Sequence, residues 1–256
     1  MTHKVTNGLC FAILPESKYG LSKYHPSKVM DQSDYTLFTR VKLLEQSHDD
    51  DGGIIARPGK HSGFFFSNDQ EGDGGYLKFI IWVRKDGVES PLYKDVKLTK
   101  EECKEWLLIY SVNDLQNRRT DLFVNGELKH TISHDLFDEK VKYEDEPYYV
   151  GCGNPFSIDP KFCNYGNFEY SLLGLVDKAI DINEINSLKD KIISHPTHGL
   201  NIIDPKEPIS KNVVFYFDFE NISRYRIWDV SNNSNHLNLH VTEEDRKDET
   251  KQLNLI

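Results

Sequence analysis

The chain has 256 residues, and its 41 acidic and 31 basic side chains give a formal net charge of −10 at pH 7. This length fits one large domain or two small ones and is sufficient to bury a substantial core. The acidic balance argues against nucleic acid or an anionic membrane surface as the main partner. No run of about 18 apolar residues predicts a membrane-spanning helix, so we expect no membrane insertion.

The N-terminal apolar run, residues 9–14, follows no basic segment and precedes no small-residue cleavage site. We therefore interpret it as a first strand and not as a signal peptide. The four cysteines (Cys10, Cys103, Cys152 and Cys163) are scattered and form no C-x-x-C pair. We expect free thiols in a reducing compartment, with a Cys152–Cys163 bridge as the alternative. A cytoplasmic or virion-associated location follows as an expectation, in preference to export.

Alternating apolar residues and turn signals predict strands along the first half of the chain. The predicted strands cover residues 9–14, 28–30, 35–44, 54–57, 63–67 and 76–84. In the third of them Tyr35, Leu37, Thr39, Val41 and Leu43 should point to one face, because side chains alternate along a strand. Asp86-Gly87 predicts a turn, and residues 99–104 predict a helical turn or a loop.

Residues 105–135 give the clearest local prediction. An apolar run at 106–110 predicts a strand, and a polar break follows at 113–119. Asn125-Gly126 then separates two short apolar runs, residues 122–124 and 128–132. This pair favours a two-residue type I′ hairpin, because both central positions of that turn need a positive φ.

The second half of the chain adds further strands and one helix. Residues 147–151 and 213–219 predict strands, and 168–180 predict one long strand in which Gly174 marks a bulge or a close approach. A helix should begin after a cap at Asp181 or Asn183 and end before Pro196. About a dozen short strands without a βαβ rhythm predict an all-β fold. We expect one domain, residues 1–240, and a charged tail, residues 241–256.

The order of these segments resembles the concanavalin A-like lectin/glucanase superfamily, in particular its laminin-G-like jelly-roll branch. The resemblance is carried by DYTLFTRVKL, GGIIARPGKHSGFFFS, EWLLIYSV, DLFVNGELKHTI, PYYVGCGNP, FEYSLLGLVDKAIDINEINSL and FYFDFENISRYRIWDVSNNSNHLNL. It implies an antiparallel two-sheet jelly-roll sandwich with one short helix. The last segment often opens such domains but here follows the helix, which indicates a permuted arrangement or a truncated second repeat. Lectins, glycanases, adhesion modules and structural domains share this fold, so the fold alone does not assign the activity.

A glycanase of this superfamily would need its Glu-x-Asp-x-x-Glu motif, in which two carboxylates perform retaining hydrolysis. Asp218 and Glu220 alternate on a predicted strand and are the best pair, but no third acid follows at the required spacing. Other catalytic and nucleotide-binding fingerprints are absent from the sequence. We therefore favour a non-catalytic module and keep a glycan hydrolase as the less favoured alternative.

Sugar binding requires aromatic rings on a sheet face or at loop tips, beside hydrogen-bonding side chains. The candidate ligand-binding residues are Trp82, Tyr76, Tyr148, Arg57 and Asn154. Tyr110, Tyr149 and Trp228 are further aromatic candidates, although about half of all these rings should belong to the core. The expected partner is accordingly a glycan or a glycoprotein.

Calcium is the predicted cofactor, because it binds six to eight oxygen ligands from acidic and amide-rich loops. Three loops offer such ligands, through Asp229, Asn232 and Asn235, through Asp49 and Asp51, and through Asp73. The resemblance implies calcium beside the first loop. The alternative at each is a turn whose Asp and Asn side chains cap their own backbone.

The sequence as a whole predicts a lectin-like, calcium-stabilised binding module. The alternative function is a structural or interaction protein of a surface or virion assembly, and the oligomeric state is not predicted.

Overall fold

The computed structural model describes residues 3–5, 10–13, 26, 29–30, 33–44, 52–56, 63–68, 74–141, 148–151, 168–194, 208–219, 222–223, 226–231, 233 and 236–240. Within them the fold is a β-sandwich, as predicted, built from two antiparallel sheets with one helix on an outer face.

Sheet A has seven strands. They are β1 (His3–Val5), β3 (Tyr35–Leu43), β8 (Trp106–Asp114), β9 (Arg119–Val124), β10 (Glu127–Ser133), β13 (Phe168–Val176) and β14 (Val213–Phe217). Their order across the sheet is β1-β13-β3-β8-β9-β10, and β14 also pairs with β13.

Sheet B has ten strands. They are β2 (Cys10–Ile13), β4 (Gly52–Ala56), β5 (Gly63–Asn68), β6 (Gly74–Lys85), β7 (Val88–Thr99), β11 (Glu139–Lys140), β12 (Tyr148–Val150), β15 (Ile222–Ser223), β16 (Arg226–Ile227) and β17 (Leu237–His240). The strand order across sheet B is β11-β6-β5-β4-β12-β2-β17-β16-β15, and β7 also pairs with β6. Short 3₁₀ turns occupy Glu102–Lys104, His134–Leu136 and Pro208–Asn212.

The main core lies between the two sheets, where alternate side chains of each strand meet. Leu37 and Val41 of β3 enter it from sheet A, and Leu77 and Phe79 of β6 enter it from sheet B. The predicted alternation in β3 is therefore confirmed, with Thr39 fully buried on the same side. Burial of these apolar side chains between the sheets is the main contribution of the core to stability.

A second apolar cluster covers the outer face of sheet A. The helix α1 (Ile182–Ser194) packs Ile185 and Leu188 against Phe38, Tyr110 and Phe123. Sheet A is therefore buried on both faces, which explains the nearly continuous apolar run in β8.

The start of α1 is fixed by a capping box. The Asp181 carboxylate accepts hydrogen bonds from the backbone N–H groups of Asn183 (2.7 Å) and Glu184 (2.9 Å), while Glu184 accepts from the backbone N–H of Asp181 (3.0 Å). Two of the helix's unsatisfied donors gain partners in this way. The predicted cap at Asp181 is confirmed.

The predicted hairpin at Asn125-Gly126 and the predicted turn at Asp86-Gly87 both form. Asn125 and Gly126 have φ of 52° and 84°, and Asp86 and Gly87 have φ of 51° and 76°. Both pairs have the positive φ that a type I′ turn requires at its two central positions. Gly174 is a close-approach point, because a Cβ there would lie 2.3 Å from Phe38 Cζ.

Two strand predictions need correction. Val29 and Met30, predicted as part of an edge strand, are helical. Residues 88–98 were assigned no element, yet they belong to the 12-residue strand β7. Pro91 argued against a strand here, because proline cannot donate a ladder hydrogen bond. It is tolerated because β7 is paired in the described structure only with β6. The predicted tail and the two cysteines of the alternative disulfide, Cys152 and Cys163, lie outside the described residues.

Candidate functional site

The outer face of sheet B carries aromatic rings on its β6–β7 hairpin. Trp82 and Tyr76 point outward from β6 and are partly exposed, while Phe79 and Ile81 point into the core. Tyr93 of β7 is 57% exposed. We call the exposed rings of Trp82 and Tyr93 the aromatic face.

The strand register determines how these rings are spaced. Trp82 lies opposite Pro91, and Tyr93 lies opposite Ile80. Trp82 and Tyr93 are therefore diagonal cross-strand neighbours, with a backbone separation of about 7 to 8 Å. Two rings at that spacing on one sheet face suit a flat ligand with an apolar side, such as a pyranose ring.

Charged side chains flank the aromatic face at both ends. Lys78 lies opposite Asp95 in the register, and Arg84 pairs with Glu89 at 2.6 Å. The ammonium of Lys97 lies 5.8 Å from the centroid of the Tyr76 ring. Hydrogen-bond donors and acceptors therefore stand beside the rings, as a sugar-binding surface requires.

A small cavity of about 40 Å³ lies behind Trp82, at a gap in sheet B. Along one edge of β6, pairing with β5 ends at Gly63 opposite Ile80, and pairing with β11 begins at Lys140 opposite Val83. Among the described residues, only the backbone N–H of Val141 reaches the edge between them, donating to the Trp82 carbonyl at 3.0 Å. The described residues that line the cavity come from both faces of β6, with Trp82 from the outer face and Phe79 from the inner one.

The cavity contains polar groups as well as apolar walls. Its floor is formed by Ser111 of sheet A, and its walls include Tyr148, Tyr35 and Lys140. The buried Ser111 hydroxyl has no hydrogen-bond partner in the part of the chain that the structure describes. Buried polar groups are normally paired, and this fully buried hydroxyl lacks such a partner among the described residues. The volume suits about two or three waters or a small substituent of a ligand.

A buried hydrogen-bond chain holds Lys140 at the cavity wall. The Lys140 ammonium donates to Asn113 Oδ1 and lies 5.3 Å from the centroid of the Tyr35 ring. Thr120 Oγ1 donates to the same Asn113 oxygen at 3.1 Å, and it lies 2.9 Å from His134 Nε2. Because the Thr120 proton is used towards Asn113, the imidazole Nε2–H donates to Thr120.

The His134 side chain in this series of hydrogen bonds is neutral at ordinary pH. Burial, followed by the positive charges of Lys140 and Arg118, lowers the pKa of His134 to about 4. A neutral imidazole in a fixed tautomer therefore orients Thr120 and Asn113 at ordinary pH. The chain serves to position the Lys140 ammonium and does not supply an acid or a base.

The structure brings two of the predicted ligand-binding residues together and separates a third. Trp82 and Tyr148 both line the cavity. Tyr148, at 4% exposure, is a wall residue of the interior, and its predicted contact with a ligand stays a prediction. Tyr76 shares the outer face with Trp82 but does not line the cavity. Arg57 and Asn154 lie outside the described residues.

Tyr93, Lys140 and Ser111 were missed by sequence reasoning. Alternation in LYKDVKLT is the signal that could have identified Tyr93 as an outward-facing strand residue. No local signal marks Lys140 or Ser111, because their convergence depends on the register of distant strands.

The Asp229 carboxylate accepts hydrogen bonds from the chain, and its predicted role as a calcium ligand stays a prediction. It is 6% exposed, and its Oδ1 accepts hydrogen bonds from the backbone N–H groups of Tyr216 and Ser231, each at 2.9 Å. Its Oδ2 accepts from the Ser231 hydroxyl at 2.7 Å. The Asn233 amide similarly donates to the Val213 carbonyl at 2.7 Å. This geometry matches the alternative interpretation, a turn whose side chains cap backbone groups.

The remaining predicted calcium ligands, Asn232, Asn235, Asp49, Asp51 and Asp73, lie outside the described residues. Among the residues that are described, no three His, Cys, Asp or Glu side chains converge to hold a metal ion. Likewise, none of the described helices is both long and apolar enough to cross a membrane.

Comparison with known proteins supports the fold. No family model matches the chain, and no curated protein is similar to it. A solved structure from Bacteroides ovatus ATCC 8483, provisionally described as a carbohydrate-binding protein, matches with a TM-score of 0.58 and 12% identity over 94% of this chain and 60% of that one. At this identity the likeness shows the β-sandwich fold alone.

Binding domains of botulinum neurotoxins also match over part of the chain. The serotype G domain has a TM-score of 0.42 and 13% identity over 64% of this chain and 37% of that one. The serotype D receptor-binding domain has a TM-score of 0.43 and 17% identity over 62% and 37%. These scores are too low to support a functional argument. The chain spans less than two thirds of each of these three proteins.

Proposed function

We propose that this chain is a carbohydrate-binding module that holds a glycan on the aromatic face of sheet B without cleaving it. One observation carries the proposal: Trp82 and the exposed Tyr93 lie on the same sheet face, and Trp82 borders a cavity that Ser111 also lines, whose hydroxyl has no partner among the described residues. A pyranose ring stacks on the aromatic face, and one of its substituents enters the cavity and bonds Ser111 and Lys140.

The described lining of the cavity supports binding over cleavage. Retaining hydrolysis requires two carboxyl groups about 5 Å apart, whereas none of the described residues that line the cavity is Asp or Glu. Glu220, one of the two acids considered for hydrolysis, lies outside the described residues. The provisional description of the Bacteroides ovatus neighbour gives further support to carbohydrate binding.

Membership of the concanavalin A-like superfamily and its laminin-G-like branch is part of this proposal.

Calcium is also part of it, at loops containing Asp49, Asp51 and Asp73, because the Asp229 carboxylate already accepts hydrogen bonds from the chain. Calorimetric titration with CaCl₂ tests this point. Heat of binding that disappears in an Asp49→Asn/Asp51→Asn variant supports it, and no heat contradicts it. The expected location and the alternative of an assembly protein stay predictions.

A glycan array followed by calorimetric titration tests the proposed function. The best array ligand should bind Trp82→Ala at least about tenfold more weakly, because stacked aromatic anchors carry a large share of binding free energy. Ser111→Ala should weaken binding about two- to fivefold, the value of one hydrogen bond. Trp228→Ala is the matched control, since Trp228 is 42% exposed but lies outside the aromatic face. Wild-type affinity in folded Trp82→Ala, or a loss confined to Trp228→Ala, overturns the proposal.

A further inference from the structure

The outer face of sheet A has a polar end, separate from the cluster that α1 covers. Arg40 and Lys42 alternate along β3 with the inward-facing Thr39 and Val41. In the register, Arg40 lies opposite Leu108, and Lys42 lies opposite Trp106. This end therefore presents two cations and an indole ring, on the side of the sandwich opposite to Trp82.

Arg40 is fixed in orientation by Trp106. The Arg40 guanidinium carbon lies 4.6 Å from the centroid of the Trp106 ring. Stacking on an indole is a favourable position for a guanidinium, because the ring face carries partial negative charge. This contact leaves the N–H groups of Arg40 able to donate to other acceptors.

A β-bulge directs a hydroxyl towards the same guanidinium. The register of β13 against β3 skips Ser171, between Tyr170 and Leu172. Bulges re-aim side chains in this way. Ser171 Oγ, on a residue that is 7% exposed, lies 3.5 Å from Arg40 Nη1, too far for a strong hydrogen bond.

The charge of Arg40 is not balanced by an acidic side chain among the described residues. No ion pair of Arg40 is found there, and Glu169 of β13 lies opposite Lys42. Loss of water around the half-buried group lowers the pKa of Arg40, and no neighbouring carboxylate offsets this shift. With five N–H donors and one long contact, the guanidinium has unused hydrogen-bonding capacity.

We propose that Arg40, Trp106 and Ser171 form a binding site for a carboxylate carried by an acidic sugar. The planar fork of a guanidinium matches a carboxylate through two parallel N–H···O bonds. The Ser171 hydroxyl supplies a third donor. The choice of a sugar as the carrier rests on the proposed function, whereas the carboxylate site itself does not.

Titration with sodium glucuronate, at constant ionic strength and followed by calorimetry and NMR, tests the proposal. Glucuronate should bind and shift the Trp106 indole N–H resonance, which Trp106→Phe identifies by its loss. Glucose should produce no such shift. Arg40→Gln should weaken glucuronate binding by about tenfold or more, the value of a charge-assisted bidentate pair. Arg40→Lys retains the charge but lacks the planar fork of N–H donors, so it should also weaken glucuronate binding. This variant replaces Arg40→Gln in the test if Arg40→Gln does not fold.

Arg226→Gln is the matched control, because Arg226 also lies over an indole ring, 5.2 Å from the Trp228 centroid, but on β16 of sheet B. Its affinity for glucuronate should be unchanged. Equal glucuronate affinity in wild type and both Arg40 variants overturns the proposal, and so does glucose binding as tightly as glucuronate with the same shift at Trp106.

Two further arms separate this inference from the proposed function. Arg40-dependent binding of acetate supports the carboxylate site, and if acetate binds as tightly as glucuronate, the sugar assignment is overturned. Trp82→Ala should leave glucuronate binding intact. Failure of all array glycans to bind at Trp82, with Arg40-dependent glucuronate binding retained, rejects the proposed function alone. Glycan binding that depends on Trp82, together with no Arg40-dependent binding of glucuronate, rejects the inference alone.

Discussion

On sheet A the outer face is largely buried beneath α1, whereas on sheet B the β6–β7 hairpin leaves aromatic rings exposed. Tyr110 is fully buried on the first face, and Tyr93 is 57% exposed on the second. Both are tyrosines on strands of nine or more residues. The comparison shows that the same residue type serves packing on one sheet and remains available for a ligand on the other.

The two strands also differ in sequence. β8 is buried at seven consecutive positions, 107–113, whereas β7 alternates buried and exposed residues near its C-terminal end. In a strand that is covered on both faces, the side chains of both faces contribute to stability. In a strand with one free face, the side chains of that face can be substituted without loss of core packing. Mutations on the two faces should therefore separate stability from binding.

The largest expected effect is the loss of stability in Tyr110→Ala. It should lower the free energy of unfolding by about 3 to 5 kcal/mol, because it opens a large cavity in the cluster beneath α1. Tyr93→Ala should change it by no more than about 0.5 kcal/mol, as expected for an exposed side chain. Urea unfolding measures both, and equal losses would remove the distinction between the two faces.

The buried histidine should make stability depend on pH. The pKa of His134 is lowered to about 4 in the folded protein from the ordinary 6.5, so the unfolded chain binds more protons between these values. Stability is therefore full above pH 6.5 and falls by about 2 to 3 kcal/mol as the pH approaches 4. Urea unfolding at several pH values measures this slope. His134→Gln should flatten it, and an unchanged slope in that variant contradicts the assignment.

Close packing of Gly174 should make even a single methyl group costly. In Gly174→Ala the new Cβ meets the Phe38 ring at 2.3 Å, and we expect a loss of about 2 kcal/mol from overpacking. Gly87→Ala is the control, since no atom lies within 4 Å of its Cβ position and only the positive φ of 76° opposes it. It should cost about 1 kcal/mol. A smaller loss for Gly174→Ala than for Gly87→Ala, by urea unfolding, contradicts the packing of β13 on β3.

The smallest effect is expected for Tyr110→Phe. The buried Tyr110 hydroxyl has no hydrogen-bond partner in the described structure, and burial raises the pKa of Tyr110. Removing an unpaired hydroxyl restores the free energy lost on its desolvation. Stability should stay equal or rise by up to about 1 kcal/mol in urea unfolding. A loss above about 1 kcal/mol indicates a partner for this hydroxyl.

Features encoded within a few residues were predictable from the sequence. The Asn125-Gly126 and Asp86-Gly87 turns require only a local preference for positive φ, and the α1 cap depends on Asp181 and Glu184 three positions apart. Apolar alternation likewise identified β3 and β6. These signals were sufficient to assign the all-β class.

Features that depend on distant contacts were not predictable. Pro91 argues against a strand until β7 is known to lie at an edge. The helical conformation at Val29 and Met30 was missed, although Pro26, which is also helical, is a residue type favoured in the first turn of a helix. The cavity arises only when Gly63 and Lys140 leave a gap along β6, so neither Ser111 nor Lys140 could be recognised from spacing. Trp82 was predicted, but its partner Tyr93 was not.

The affinity of Tyr93→Ala for the best array glycan tests the central claim most directly, because this variant should keep wild-type stability. We predict binding at least about tenfold weaker with an unchanged urea midpoint. Wild-type affinity in the folded variant would show that the glycan does not lie on the aromatic face.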